Sequence, residues 1–215
     1  MAGIALFDLD NTLIGREPFR NWATNFCIEN ALDEPALELL VKLDNGGLAS
    51  REELFRDFLA TYEMHFSVME LIGHYRATYP SFIKPIDAIN SSLEHLKQNQ
   101  WKLGIVTNGP QTQHIKIHQS GLDVLMDIVV VSEEVGVSKP NVAIFEIALN
   151  AISMPSPTQG LWMIGDMYAT DIAGGQAAGL ETILVGRESW NSPGHNPPTY
   201  CTNNILEAID LLLGL

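Results

Sequence analysis

An apolar run without a polar break, Ile4-Ala-Leu-Phe7, opens the chain and stops at two acids two residues apart, Asp8 and Asp10. A run that does not alternate reads as a parallel strand covered on both faces. After Leu13 the spacing becomes helical and stays so for about seventy residues. Pro18 suits the first turn of a helix whose apolar positions Phe19, Trp22, Ala23, Phe26 and Cys27 recur every three or four residues. Pro35 opens a second, with Leu37, Leu39, Leu40 and Leu43. Asn45-Gly46-Gly47 breaks that pattern, and Ser50 with Glu53, then Ser67 with Glu70, spell capping boxes ahead of two further apolar stripes. Four short amphipathic helices with a shared apolar side predict a helical bundle with its own small core, residues 14–84.

Tyr79-Pro80 and Lys84-Pro85 mark the return, because a residue before proline is pushed out of helical geometry. These positions read as hinges. Ile86, Ile89, Leu93 and Leu96 then predict a helix, and Trp101 to Gly109 a strand ending in a polar turn. The helix from about Pro110 to Ser120 has the weakest periodicity of the set. Asp127 to Val131 predicts a third strand, Pro140 opens a helix carrying Ile144, Phe145, Ala148 and Leu149, and Leu161 to Asp166 predicts a fourth strand. Thr182 to Val185 and Thr199 to Thr202 add two more strands, and Ile205, Ile209, Leu212 and Leu213 a closing helix. Strands separated by helices predict an α/β fold, a doubly wound Rossmann-like parallel sheet core formed by residues 1–13 and 85–215, with the helical bundle inserted. Arg187 to Pro198, rich in Ser, Asn, Gly and Pro, reads as a surface loop.

Composition narrows the partners. A net charge of −14 with only 12 Lys and Arg argues against a nucleic-acid surface, since phosphate backbones are bound by neutralising them. Any phosphorylated substrate needs cations placed locally. Cys27 and Cys201 stand far apart with no CxxC spacing, so neither a zinc site nor a disulfide framework is indicated. The first strand begins within three residues of Met1, leaving no room for a signal peptide, and no run approaches the length of a membrane span. The expectation is a cytoplasmic protein with no membrane partner.

Parallel strands bring their carboxyl ends to one edge, where the ligand crevice of such a sheet lies. The polar residues that follow the apolar runs are Asp8 and Asp10, then Thr107 and Asn108, then Lys139, then Asp166 with Asp171. Two crowded carboxylates repel, which favours a hard divalent cation between them or a proton kept by one. Each piece alone has a plain reading as a turn, a solvated lysine or a carboxylate at a helix start. Together, four strand ends supply two acids, a hydroxyl, a cation and two more acids.

These pieces, Asp8-Leu-Asp-Asn-Thr12, Val106-Thr-Asn-Gly109, Ser138-Lys-Pro140 and Gly165-Asp-Met-Tyr-Ala-Thr-Asp171, resemble the four motifs of the haloacid dehalogenase-like (HAD) hydrolase superfamily in order and spacing over essentially the full chain. The branch resembled is that of phosphatases with a helical cap of the C1 type after the first strand. The resemblance implies Asp8 as nucleophile, Asp10 as general acid and base, Thr107 on a phosphoryl oxygen and Lys139 balancing charge. It also implies Mg²⁺ held by Asp8, Asp166 and the main-chain carbonyl of Asp10, with Asp171 orienting the metal's surroundings. Asn108 and Gly109 join Thr107 and Lys139 in the implied substrate site, and Asn45, Gly46 and Gly47 resemble a cap loop that enters the active site in relatives.

The implied function is Mg²⁺-dependent hydrolysis of a small phosphomonoester, a nucleoside monophosphate or sugar phosphate, through an aspartyl-phosphate. An acid at Asp10 disfavours carbon–halogen chemistry, because the dehalogenase branch generally lacks one there. Two alternatives remain: a phosphomutase using the same site, and a regulatory or scaffold protein on the same fold.

Overall fold

The computed structural model describes residues 3–47, 49–152, 160–186 and 194–215. Leu48 and residues 187–193 of the expected surface loop lie outside the described residues. The chain divides into two compact units, Met1–Ile14 with Pro85–Leu215, and Gly15–Lys84.

The first unit holds a six-stranded sheet: β1 (Ile4–Phe7), β2 (Lys102–Thr107), β3 (Ile128–Val131), β4 (Leu161–Gly165), β5 (Glu181–Val185) and β6 (Tyr200–Thr202). Its order is β3-β2-β1-β4-β5-β6, and every pairing is parallel. The predicted doubly wound sheet is therefore present, with strand ends that differ from the apolar runs by a residue or two. Trp101 falls before β2 because its amide donates to the Leu96 carbonyl at 3.1 Å, and Gly109 and Asp166 fall beyond β2 and β4, where the chain turns at the carboxyl edge.

Alternation across the sheet explains the unbroken apolar strands. Ile4 and Leu6 pack with Val106, Val130 and Met163 against Ile144, Phe145 and Ala148 of a helix, Val142–Ala151. Ala5 and Phe7 point the other way and are equally buried, so both faces are covered. Burying side chains of this size contributes roughly 1.5–3 kcal/mol each. The helix Val142–Ala151 begins two residues after Pro140, where the Asn141 side chain accepts from the Ala143 amide at 3.0 Å. Helices Asp87–Gln98 and Ile205–Leu213 pack on each other beside the sheet.

The second unit contains four helices, α1 (Glu17–Glu29), α2 (Glu34–Asp44), α3 (Arg51–Thr61) and α4 (Val68–Thr78). Ser67 and Glu70 form the full reciprocal capping box of α4. Ser50 caps α3 through the Glu53 amide, but the Glu53 carboxylate accepts from the Ser50 hydroxyl instead of from its amide. α2 ends at Asn45, whose left-handed φ of 48° turns the chain out of the helix.

Aromatic rings fill this unit. Trp22 lies 4.9 Å edge-on from Tyr75, 5.3 Å from Phe26 and 5.8 Å from Phe55. Its indole N–H donates to the Thr78 hydroxyl at 2.9 Å. Arg51 lies over both the Phe19 and Tyr75 rings at 4.9 Å and pairs with the buried Asp44 at 2.6 Å. Its guanidinium thus has carboxylate and π partners that offset its desolvation.

Candidate active site

The sheet order reverses at β1, with β2 and β3 to one side and β4 to β6 to the other. Ligands of open parallel sheets bind beyond the carboxyl ends at such a reversal. Asp8 is the first residue past β1 there. Phe7 stands level with Ile105 and Ile164, and the Asp8 amide donates to the Ile164 carbonyl at 2.8 Å. The main chain therefore fixes Asp8 against β4. The amides of Leu13 and Ile14 both donate to the Leu9 carbonyl, at 3.0 and 2.9 Å, so the chain after Asp10 folds back in a tight loop with Asn11 at φ 61°.

Lys139 is 4% exposed, and its ammonium donates to Asp8 Oδ1 at 2.6 Å and to Asp171 Oδ1 at 2.7 Å. Asn108, at the end of β2, clasps the Lys139 main chain from both sides: Nδ2 donates to the Lys139 carbonyl at 3.0 Å and Oδ1 accepts its amide at 2.8 Å. The Asn108 side chain is thereby committed to protein. What this side chain positions is Lys139.

Asp171 sits in a π-helical turn, Tyr168–Ile172, is 1% exposed, and accepts the Met167 amide on Oδ2 at 3.0 Å. Gly165 makes this approach possible, since a Cβ there would lie 2.3 Å from Asp171 Oδ2. Carboxylate oxygens of Asp8, Asp166 and Asp171 all fall within 4.8 Å of one another. Three hard oxygen donors so close are the donor set that Mg²⁺ takes, and the residues present fit that ion. Burial, only partly offset by Lys139, pushes the Asp8 carboxyl up to about 7, with Asp171 and Asp10 adding repulsion. Burial alone would favour neutral Lys139, but Asp8 and Asp171 outweigh it and push the ammonium up to about 12. Among the described residues Lys139 pairs with Asp8 and Asp171, and a divalent cation would add to that neutralisation.

The Asp10 carboxylate stands outside that trio. It accepts from Lys116 Nζ at 2.7 and 2.8 Å and from Gln113 Nε2 at 2.8 Å. The same Gln113 nitrogen lies 2.9 Å from Thr107 Oγ1. Gln113 and Lys116 belong to the helix Gln113–Gln119 and were not legible as site residues. The available signal was that helix's weak periodicity, which reflects polar side chains turned inward. Gly109 gives them room, since a Cβ there would lie 2.9 Å from Gln113 Cγ.

Asp8, Asp10, Thr107, Asn108, Gly109, Lys139, Asp166 and Asp171 thus all belong to the sheet unit. Asn45, Gly46 and Gly47 belong to the helical unit, where their φ values of 48°, 67° and 86° form a left-handed turn. A Cβ on Gly46 would lie 2.8 Å from the Arg16 guanidinium, so glycine lets Arg16 pack on the turn. Arg16, Glu17, Phe19, Arg20, Val41, Asp44 and Gly46 line a cleft of about 250 Å³ in this unit. Trp22 and Tyr75 are 1% and 8% exposed, so their rings serve the core of this unit.

The sequence profile of the haloacid dehalogenase-like hydrolases matches residues 5–185. The pyrimidine 5'-nucleotidase YjjG of Escherichia coli (strain K12) is 30% identical over 217 residues, covering 96% of each chain. A glyceraldehyde 3-phosphate phosphatase of Methanothermobacter thermautotrophicus is 30% identical over 210 residues, covering 87% of each. Among solved structures, the HAD-hydrolase YfnB of Bacillus subtilis, bound to magnesium, superposes with a TM-score of 0.79 at 27% identity and 98% coverage of each chain.

Proposed function

The chain belongs to the haloacid dehalogenase-like hydrolases, in their phosphatase branch, and from that premise we propose that it is a Mg²⁺-dependent phosphomonoester hydrolase working through an aspartyl-phosphate. The observation that carries this reading is the buried Asp8 carboxylate, pinned by Lys139 at 2.6 Å and accompanied by Asp166 and Asp171 within 4.8 Å.

Asp8 attacks phosphorus in line, an Asp8–phosphorus bond forms, and the ester oxygen leaves. Asp10 delivers a proton to that oxygen, then takes one from the water that attacks phosphorus in the second step, releasing inorganic phosphate and restoring Asp8. Lys139 holds the attacking carboxylate in place and balances charge on the transferring group. Thr107, with the main-chain N–H of Asn108, donates to phosphoryl oxygens, while the Gly109 amide donates to the Ser132 hydroxyl at 2.9 Å. Asp8, Asp166 and the Asp10 carbonyl would hold the Mg²⁺, with Asp171 steadying Lys139 beside them. When bound, that ion supplies charge stabilisation and alignment for the phosphoryl oxygens.

We assign the helical unit, residues 14–84, as a cap that selects the leaving group, through Arg16, Arg20 and the turn Asn45–Gly47. The substrate class is a nucleoside monophosphate or a sugar phosphate, supported by the nucleotidase and sugar-phosphate phosphatase among the relatives. Burial of Trp22 and Tyr75 supports recognition of such a ligand by polar contacts over stacking on those rings. The test is phosphate release across nucleoside monophosphates, sugar phosphates and small esters, each with Mg²⁺ and with chelator. Release from members of this class in Mg²⁺ alone is expected; no release from any ester contradicts the reading and returns weight to a mutase or a non-catalytic protein.

A further inference from the structure

We propose that Lys116 and Gln113 are positioning residues that hold Asp10 and Thr107 in working geometry, the counterpart for Asp10 of what Lys139 does for Asp8. This rests on the acid and base role given to Asp10 above.

Four carboxylates, Asp8, Asp10, Asp166 and Asp171, gather at the end of β1 and β4, and repulsion among them favours Asp10 swinging outward. Its side chain is 41% exposed, so packing alone does not stop it. Lys116 does, by reaching both carboxylate oxygens at 2.7 and 2.8 Å from a position only 20% exposed. A charge-assisted contact to both oxygens fixes the carboxylate more tightly than one hydrogen bond.

Gln113 adds direction. It is 2% exposed, and its Nε2 lies 2.8 Å from Asp10 Oδ2 and 2.9 Å from Thr107 Oγ1. An ionised carboxylate only accepts, so the amide must turn its NH₂ and not its oxygen toward Asp10. The second N–H then reaches Thr107, whose hydroxyl accepts it and must direct its own single proton elsewhere. That proton is the one proposed to meet a phosphoryl oxygen. One buried amide therefore couples the proton-transfer group to the phosphate-binding hydroxyl, and the two lysines each serve one of the two acids of the motif.

A misplaced Asp10 harms each step by its need for a proton. Expelling an alkoxide needs the proton badly, expelling 4-nitrophenolate hardly at all, and activating water in the second step needs it whatever the ester. The test uses the full-length protein with Mg²⁺, comparing wild type, Asp10→Asn, Lys116→Met, Lys116→Arg and Gln113→Leu on β-glycerophosphate and on 4-nitrophenyl phosphate, with rapid mixing for the latter. Lys116→Met is expected to lower kcat on β-glycerophosphate by roughly 10- to 100-fold, less than full loss of an acid–base group, with KM changed by less than about threefold. On 4-nitrophenyl phosphate it should leave the first-turnover burst rate within about threefold while slowing the steady state, as the second step becomes limiting. Lys116→Arg should recover most of the loss, since a guanidinium also reaches two carboxylate oxygens. Gln113→Leu should resemble Lys116→Met but also raise KM, because Thr107 is affected.

Equal loss of burst and steady-state rate in Lys116→Met, or no loss in either, overturns the positioning role. If Asp10→Asn lowers kcat/KM, which reports the step that expels the leaving group, equally on the two esters, the acid and base reading of Asp10 fails, and this proposal fails with it. An Asp10→Asn defect that depends on the leaving group, without one in Lys116→Met, overturns the positioning role alone. Urea midpoints for each variant separate these effects from unfolding: a Lys116→Met protein that is folded at the assay temperature yet loses burst and steady state together counts against the proposal.

Discussion

Lys139 Nζ lies 2.6 Å from Asp8 Oδ1, with both residues buried. Such a pair is costly to desolvate and costlier to break, because the group left behind is a buried charge without its partner. Here the same ammonium also serves Asp171, so Lys139→Met would strand two carboxylates at once. We expect loss of activity together with destabilisation by about 3–5 kcal/mol, reduced where Asp8 takes up a proton; urea titration at two pH values checks this.

The pH dependence of stability has a definite sign. Burial raises Asp8 from 3.8 to about 7, so between those values the folded chain keeps a proton that the unfolded chain releases. The contribution of Asp8 to stability therefore falls as pH rises through that window. Lys139, raised from 10.5 to about 12, contributes stability that is present below that range and lost only as pH climbs through it. In chelator, Asp8→Asn should gain stability relative to wild type from about pH 4.5 to about pH 7. Urea midpoints for the two proteins measure this, and a difference that is flat or that shrinks would contradict the environment described for Asp8.

The two acids should fail differently. Asp8→Asn removes the attacking oxygen and should abolish turnover, whereas Asp10→Asn should slow an alkyl ester by roughly 10²–10⁴-fold. Stopped-flow and steady-state rates on the same preparations separate them. Comparable slowing in both would remove the distinction between nucleophile and proton carrier.

Gly165→Ala places a methyl group 2.3 Å from Asp171 Oδ2, against a buried carboxylate whose partners are the Met167 amide and Lys139. Destabilisation by about 1–3 kcal/mol and a large loss of activity should follow. Gly73→Ala in α4 is the control: a Cβ there meets nothing within 4 Å, and helix propensity predicts a gain of roughly 0.5–1 kcal/mol. Thermal melts and phosphate release on both variants decide it; a silent Gly165→Ala would show that the close approach is unimportant.

The sheet was legible because strands buried on both faces carry unbroken apolar runs, as Ile4 to Phe7 and Ile128 to Val131 do. Asp8 and Thr107 were legible because parallel strands deliver whatever ends them to one edge; Lys139, separated from β3 by the short helix Ser132–Val135, was legible through the motif it resembles. Lys116 and Gln113 were not, because they contribute from inside a helix, more than 100 residues from Asp10, where sequence spacing says nothing about proximity. The clasp of the Asn108 side chain was not legible for a related reason: its partner is the main chain of Lys139, 31 residues away, and main-chain contacts leave no residue-type signature. Trp22 and Tyr75 could be placed at helical spacing, but whether a ring faces a core or a ligand depends on neighbouring helices.

Selectivity should respond to the helical unit. Replacing Asn45, Gly46 and Gly47, which hold a left-handed turn against Arg16, should change relative kcat/KM among sugar phosphates and nucleoside monophosphates by about tenfold, while affecting 4-nitrophenyl phosphate much less. Equal loss on every ester, or no change, would remove this turn from the substrate site.

The central claim is a covalent phosphoryl transfer to Asp8 that depends on a divalent ion held beside it by Asp166. It is tested most directly by acid-quenching the enzyme during turnover of a ³²P-labelled ester and mapping the labelled peptide, with Mg²⁺ and after metal stripping. We predict acid-stable, hydroxylamine-labile label on the peptide containing Asp8 in Mg²⁺, and none in chelator, in Asp8→Asn or in Asp166→Ala. Steady turnover by Asp8→Asn, or undiminished turnover by metal-stripped wild type in chelator, would contradict the account.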